Sequence, residues 1–426
     1  MLSAIVAIFL VLLLLNVPVA FVLGSTASVA FLIKGDVPLF VVAQRLFGGM
    51  DSFTMLAVPL FILSGAIMDV GGISIRLINL ARALVGHLRG GLAQVVVIGE
   101  MFFSDISGST SADTAAIGSV MIPPMVQAGY SRERATAITA AACGMGMLIP
   151  PCITMVIYGV IGNVSIAALF AAGFLPAFLM AAALMVQIYI QAGKWNIPRD
   201  PRAPLGVVMR RIREAALPLG MAVIIFGGIL GGLTTPTEAA VVAVLYAVAV
   251  AVIVYREISP AQLVRIFVDA GLTSGMVMLL IGMATIFGWL LTVEGVPHRV
   301  ASLLSDLPGG RIVFLLVTNL VFWFLGMVLE GVPAIILLTP ITLPIATRLG
   351  IDPVHYGTML IANQGIAVMT PPLGISLFVA CSVGKVSVAG VSRTLIPYLL
   401  VMGLILLLIT LVPGVSLVVP RLLGLH

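Results

Sequence analysis

Charge is scarce in this chain. Asp, Glu, Lys and Arg make up 9% of its 426 residues, against 61% hydrophobic residues, and the mean hydropathy is +1.25. A soluble globule of this size has more surface to cover than so few polar side chains can supply, so the chain reads as a polytopic all-α membrane protein. Cysteine is equally sparse: Cys143, Cys152 and Cys381 sit singly in apolar sequence, which excludes a disulfide framework. His87, His298, His355 and His426 are scattered without ligand spacing, which gives no metal site of the usual kind. Low-complexity tracts and soluble domains are lacking too. The net charge of +5 points to no nucleic acid, because basic residues in a membrane protein chiefly mark the cytoplasmic side.

What is abundant is apolar sequence interrupted at particular places. Residues 1–50 read as N-terminal scaffold helices. Residues 51–192 form a first unit, with a candidate hairpin at 91–127 and a helix break at 144–151. Residues 193–275 hold a basic loop and further scaffold helices, with 260–270 read as an interfacial connector. Residues 276–415 form a second unit, with a hairpin at 310–347 and a break at 365–372, and 416–426 are a tail. Lys194, Arg199, Arg202, Arg210, Arg211 and Arg213 crowd one loop, which is therefore cytoplasmic; counting crossings outward places the N-terminus on the periplasmic side. Trp289, Glu294 and Arg299 cluster at the end of a span, as aromatic-belt residues do.

The two units are copies. Met147-Leu148-Ile149-Pro150-Pro151 returns 221 positions later as Val368-Met369-Thr370-Pro371-Pro372. At the same offset Pro123 meets Pro344, Gly129 meets Gly350, Gly144 meets Gly365 and Pro176 meets Pro397. Six Gly or Pro identities exceed the roughly one that chance supplies, so the repeat is real. Five crossings separate the two starts; an odd number turns the second copy upside down, giving inverted repeats with two re-entrant helical hairpins and two broken helices.

A double proline removes backbone donors and clashes with the preceding turn, leaving carbonyls unpaired at membrane depth. Hydrocarbon cannot solvate those groups, so such breaks belong in protein or beside a wet cavity, where freed carbonyls suit small cations. The first hairpin turns at Ser104-Asp105-Ile106-Ser107-Gly108-Ser109-Thr110-Ser111-Ala112-Asp113-Thr114, with six hydroxyls and two carboxylates. The second turns at Gly326-Met327-Val328-Leu329-Glu330-Gly331, where Glu330 is the one acid between Asp306 and Asp352. Carboxylates at the bilayer centre cost about 2.5–3.5 kcal/mol each, which calls for a cation, water or mutual hydrogen bonds. Sodium and a proton both remain open for Glu330, and the bland alternative is that small hydroxyl residues let hairpin arms pack closely. A substrate carboxylate would meet the tip hydroxyls Ser109 and Thr110, Thr370, and the half-helix starts after Pro151 and Pro372.

The chain resembles the large membrane (M) subunit of the tripartite ATP-independent periplasmic (TRAP) transporters over essentially its whole length. The resemblance rests on Pro59-Leu60-Phe61-Ile62-Leu63-Ser64-Gly65, Ala83-Leu84-Val85-Gly86-His87-Leu88-Arg89-Gly90-Gly91, Ile106-Ser107-Gly108-Ser109, Ile149-Pro150-Pro151 with Val156-Ile157-Tyr158-Gly159, Gly232-Leu233-Thr234-Thr235-Pro236-Thr237-Glu238, Gly350-Ile351-Asp352-Pro353-Val354-His355-Tyr356-Gly357 and Thr370-Pro371-Pro372-Leu373-Gly374. It implies a sodium-driven importer of organic acids in the bacterial inner membrane. Its fold would be elevator-type, like that of the ion transporter superfamily, and its partners a small four-helix membrane subunit and a soluble periplasmic substrate-binding protein. By the same resemblance one sodium would meet Ser107 and Ser109 with carbonyls at Gly144, Met147 and Pro150. A second would meet Gly326, Glu330, Gly365, Met369 and Thr370. Sodium would be the coupling ion, with no cofactor. The rival reading is a stand-alone sodium- or proton-coupled carrier of organic anions. A membrane hydrolase is rejected, since no Ser–His or paired-Asp arrangement is present in either break.

Overall fold

The computed structural model describes residues 2–15, 17–35, 37–70, 73–107, 110–195, 197, 199–305, 309–329 and 331–425; residues 2, 3, 39, 70, 73, 74, 105–107, 304 and 305 are described as backbone only. Among these the chain is helical throughout. The α-helices are α1 (Leu2–Leu14), α2 (Val19–Lys34), α3 (Leu39–Met50), α4 (Ala57–Val70), α5 (Ile73–Val85), α6 (Gly91–Ser107), α7 (Thr110–Gln127), α8 (Arg132–Gly146), α9 (Ile153–Gly162) and α10 (Ile166–Ala192). There follow α11 (Leu205–Leu230), α12 (Pro236–Val248), α13 (Pro260–Val293), α14 (Val296–Ser305), α15 (Gly310–Val328), α16 (Gly331–Arg348), α17 (Pro353–Ala367), α18 (Ile375–Gly384), α19 (Val388–Leu411) and α20 (Gly414–Leu422). Seven helices are long and apolar enough to cross a membrane, or eight if the α3–α4 pair, bent by 58°, counts as one span.

The element boundaries recur at the offset of 221. Hairpin arms α6 and α7 correspond to α15 and α16, the broken pair α8–α9 to α17–α18, and α10 to α19. Their ends are set by equivalent local chemistry. Ser131 caps α8 by accepting the Arg134 amide, while Asp352 caps α17 by accepting those of Val354 and His355. Ser165 and Ser387 cap α10 and α19, and Asn163 and Lys385 close α9 and α18 in the left-handed conformation. Both Pro150–Pro151 and Pro371–Pro372 bonds are cis.

The centre of the protein is made by α8 and α17. Every residue from Ala135 to Gly146 and from Val354 to Ala367 is buried. Helix α8 is largely Ala, Thr and Gly, so neighbours approach it closely on all sides. The outer helices differ: α11 buries a single stripe, Ala215, Pro218, Met221, Ile225 and Ile229, and exposes Leu205, Val207, Ile212 and Val223 as a lipid-facing helix does.

Two sequence expectations change here. Residues 260–270 are not a separate connector but the start of the 34-residue helix α13. Its beginning is written in a capping box, with Ser259 accepting the Gln262 amide, Gln262 returning to Ser259, and Pro260 in the first turn. Glu294 pairs with Lys34 of α2 at 3.2 Å rather than with Arg299, and Trp289 lies against Phe31, ring centroids 4.6 Å apart, and beneath Arg45 at 5.0 Å. The Thr235–Glu238 capping box is as expected at the start of α12. There the Thr237 hydroxyl also donates to the Phe53 carbonyl at 3.1 Å, tying this turn to the α3–α4 bend.

The basic segment lies at the base of the first hairpin. Arg134 sits over Trp195 at 4.6 Å, and Tyr130 packs edge-on against the same ring. Arg82 hydrogen-bonds Asp200 at 2.8 Å, a contact that raises the guanidinium pKa further.

Candidate functional site

The two breaks cross each other at the repeat-equivalent glycines. A side chain at Gly144 would run into the Gly365 carbonyl oxygen and the Met369 side chain, and one at Gly365 would run into the Gly144 carbonyl. Each copy therefore offers its glycine to the backbone of the other. Such reciprocity is the signature of a local two-fold relation, in which residue i meets j and j meets i. It extends outward: α7 packs on α18 while α16 packs on α9, and α8 packs on α19 while α10 packs on α17. Neither copy closes its own core.

Around the first break the carbonyls are left open. Leu148 and Ile149 donate their amides to Met145 and Gly146 at 3.1 and 2.9 Å, and Met155 and Val156 donate to Cys152. Among the described residues no amide donates to the carbonyls of residues 147–151, although Leu148 presses its own against Gly173 of α10. Beside them lies a buried acidic cluster. The Ser104 hydroxyl donates to Asp113 Oδ2 at 3.4 Å and the Cys143 thiol to Glu100 Oε2 at 3.4 Å. Gly146 makes room for both Ser104 and Glu100, since its Cβ would lie 2.5 and 2.6 Å from their oxygens. Glu100 Oε1 has no partner among the described residues.

The second break closes on itself. Thr370 donates its amide to Ala367, Gly374 to Thr370 and Ser376 to Val368, each at 3.0 Å, so carbonyls equivalent to open ones in the first break are used. In place of carboxylates there is a chain of amides and hydroxyls. Asn363 Nδ2 donates to the carbonyl and Oδ1 of Asn319 at 2.8 and 2.9 Å, and Asn319 Nδ2 donates to Thr410 at 2.9 Å. The Trp323 indole N–H donates to the Thr370 hydroxyl at 3.0 Å, and that hydroxyl donates to Ile366 at 2.7 Å. Gln364 Nε2 donates to Phe322 at 3.3 Å. Gln364 Oε1 and Asn363 Oδ1 are buried without partners among the described residues. Gly326 seats the hairpin arm here, its Cβ position 2.5 Å from Ala367 and 2.7 Å from Gln364 Oε1.

A cavity of about 290 Å³ lies between the tips. Thr110 of the first hairpin, Gly331, Val332 and Pro333 of the second, Met147, and Ile153 and Thr154 at the start of α9 line one side; Ile62 of α4 and Thr273, Met276, Val277 and Leu280 of α13 line the other. Met147 bridges the halves, because Gly331 packs against its methyl group. Of the amides that open α9, Met155 and Val156 are used by Cys152; those of Ile153 and Thr154, with the hydroxyls of Thr110 and Thr154, form donors suited to an anion.

The structure thus brings together Gly144, Met147, Gly365 and Met369, and sets Thr110 in the same cavity as Met147. Pro150 and Pro151 are buried but do not line the cavity, whereas Pro372 is exposed, and Thr370 turns toward Trp323 and does not line the cavity either. The Ser107 side chain, Ser109 and Glu330 lie outside the described residues. Sequence reasoning missed Glu100, Asn319 and Trp323. The available signal was a lone acid or amide inside an apolar hairpin arm, two to three turns before the tip.

A family model described as the DctM component of tripartite ATP-independent periplasmic transporters matches residues 6–415. The chain is 39% identical over 402 residues to the C4-dicarboxylate TRAP transporter large permease protein DctM of Pseudomonas aeruginosa, covering 94% of each. It is 37% identical over 407 residues to the sialic acid TRAP transporter large permease protein SiaM of Vibrio cholerae, covering 96% of this chain and 95% of that one. Among solved structures it is similar to the YdaH transporter of Alcanivorax borkumensis, with a TM-score of 0.61 at 17% identity, covering 88% of this chain and 89% of that one; this likeness concerns the fold alone.

Proposed function

Because this chain belongs to the DctM family, the large permease component of tripartite ATP-independent periplasmic transporters, we propose that it imports organic acids against a gradient by coupling them to sodium. Large permeases of this family work with a small membrane subunit and a periplasmic binding protein, and the same two partners are proposed here. The observation that carries the reading is the reciprocal crossing at Gly144 and Gly365, with a donor-lined cavity of about 290 Å³ between the hairpin tips.

The substrate carboxylate meets Ser109, Thr110, Thr154 and the α9 amides that follow Pro151. A first sodium is held by Ser107 and Ser109 with the carbonyls of Gly144, Met147 and Pro150; the open carbonyls of this break support that assignment. A second is held by Gly326, Glu330, Gly365, Met369 and Thr370, with the unpartnered oxygens of Asn363 and Gln364 close by. Oxygen donors of this kind suit a hard monovalent cation.

The base of the first hairpin carries the basic segment, so it faces the cytoplasm and the two-fold relation turns the base of the second hairpin to the periplasm. The interlocked helices α6–α10 and α15–α19 move as one elevator body against α2–α4 and α11–α13. A small residue at that boundary, Gly288 of α13 against Pro340 of α16, supports sliding.

The test is uptake of labelled succinate and N-acetylneuraminate into liposomes holding this chain and its small partner, with and without a sodium gradient and the binding protein. Uptake requiring both is expected. Uptake without the binding protein would replace this reading with the stand-alone carrier, and uptake driven by a proton gradient alone would move Glu330 from sodium ligand to proton carrier. Ser109→Ala and Glu330→Gln should weaken sodium activation while the protein stays folded.

A further inference from the structure

A second, larger cavity of about 790 Å³ lies between the α3–α4 bend and α13 on one side and α16 with the end of α9 on the other. Five hydroxyl residues line it: Ser52, Thr285, Thr292, Thr339 and Thr347. The Thr339 hydroxyl is fully buried and has no partner among the described residues. Arg348 stands among the lining residues at the end of α16. Its guanidinium touches the His298 ring at Nδ1, and among the described residues it makes no ion pair with an acid. Among the described residues no acidic side chain lines the cavity; Glu294 nearby is committed to Lys34, and Asp352 caps α17. The space is therefore positive, rich in hydroxyls and of a size that holds a small organic molecule.

It neighbours the tip cavity along α13 and α4. On α13, Ile281 lines the larger space and Leu280 the smaller, and on α4 the corresponding residues are Met55 just before the helix and Ile62 within it. We propose that this vestibule is a first capture site for the substrate's carboxylate, distinct from the tip cavity. Arg348 takes the carboxylate in a bidentate fork, and the acid then moves along α13 to Thr110 and Thr154. The inference rests on the organic-acid reading of the permease. A single positive charge with no acidic partner among the described residues, in a cleft between low-dielectric walls, raises the local concentration of an anion.

Charge can be removed and restored at this one position. The three native cysteines are buried, so Arg348→Cys introduces a thiol that reagents reach selectively. In the complete complex, reconstituted with its small subunit and binding protein, uptake of labelled succinate and N-acetylneuraminate is measured as a function of concentration. Arg348→Cys should raise KM about tenfold with kcat within about twofold. Labelling with a trimethylammonium-ethyl thiosulfonate should bring KM back to within about threefold of the parent, whereas the sulfonato-ethyl reagent should raise it further. Arg348→Lys, which keeps the charge, should also remain within about threefold. A KM that ignores the sign of the charge at 348 while the parent transports normally would overturn the capture site and leave the permease reading intact. No saturable uptake of any carboxylate by the parent would overturn both.

Discussion

The two helix breaks share a backbone and differ in nearly everything attached to it. Both follow a helix buried along nearly its whole length, both hold their double proline at the same offset, and each presents its glycine to the other. The first leaves its carbonyls open beside Glu100 and Asp113, with Pro151 buried. The second folds its amides back onto its own carbonyls and surrounds them with Asn319, Asn363, Gln364 and Trp323, with Pro372 exposed. Cys143 stands where the second copy has Gln364, and Ile149 where it has Thr370. Duplication kept the geometry that needs glycine and proline and let the chemistry of the half-sites diverge.

The hardest blow to that comparison falls on what the halves share. Gly144→Ala and Gly365→Ala should each cost more than about 3 kcal/mol, because the new methyl group meets backbone that cannot step aside. The two losses should be alike, and thermal unfolding in detergent will check it; tolerance of one alone would break the two-fold relation. Next, Asn363→Leu strikes the second half only. It leaves Asn319 short of a buried donor and should cost about 2–3 kcal/mol by the same assay. Thr370→Ile gives the second break the first one's residue and strips the Trp323 indole of its acceptor, at about 1–2 kcal/mol, with a matching change in tryptophan fluorescence. Smallest, Tyr158→Phe removes the 2.7 Å bond from its hydroxyl to the Pro353 carbonyl. It should lower stability by about 1 kcal/mol and leave sodium dependence as it was.

The hairpins and breaks were legible in the sequence because prolines and clustered hydroxyls have no cheap place in lipid, and the offset then identified their equivalents. The Tyr158 and Pro353 motifs, far apart in sequence, turn out to touch. What spacing could not tell is which copy each element would pack against. Equivalence at 221 residues says that α7 and α16 are alike; it does not say that α7 meets α18 and α16 meets α9. Glu100 was hidden because one acid in an apolar arm carries no motif, and its role depends on Cys143 and Gly146 arriving from another helix. Residues 260–270 misled because Arg265 and Asp269 look interfacial, whereas the capping box at Ser259 starts a helix that nothing stops before Val293.

The crossed pairing of hairpins and half-helices also governs how the protein is made. Arm α7 ends at Gln127, and the half-helix that covers it begins at Ile375. About 250 residues of synthesis separate them, roughly 12–50 s at the usual elongation rates. Through that interval Asp113 and its neighbouring hydroxyls wait in the bilayer without their final packing. The nascent first half is therefore a client for the insertion machinery, and a chain stopped before α18 has no lasting home in the membrane and is left to its proteases.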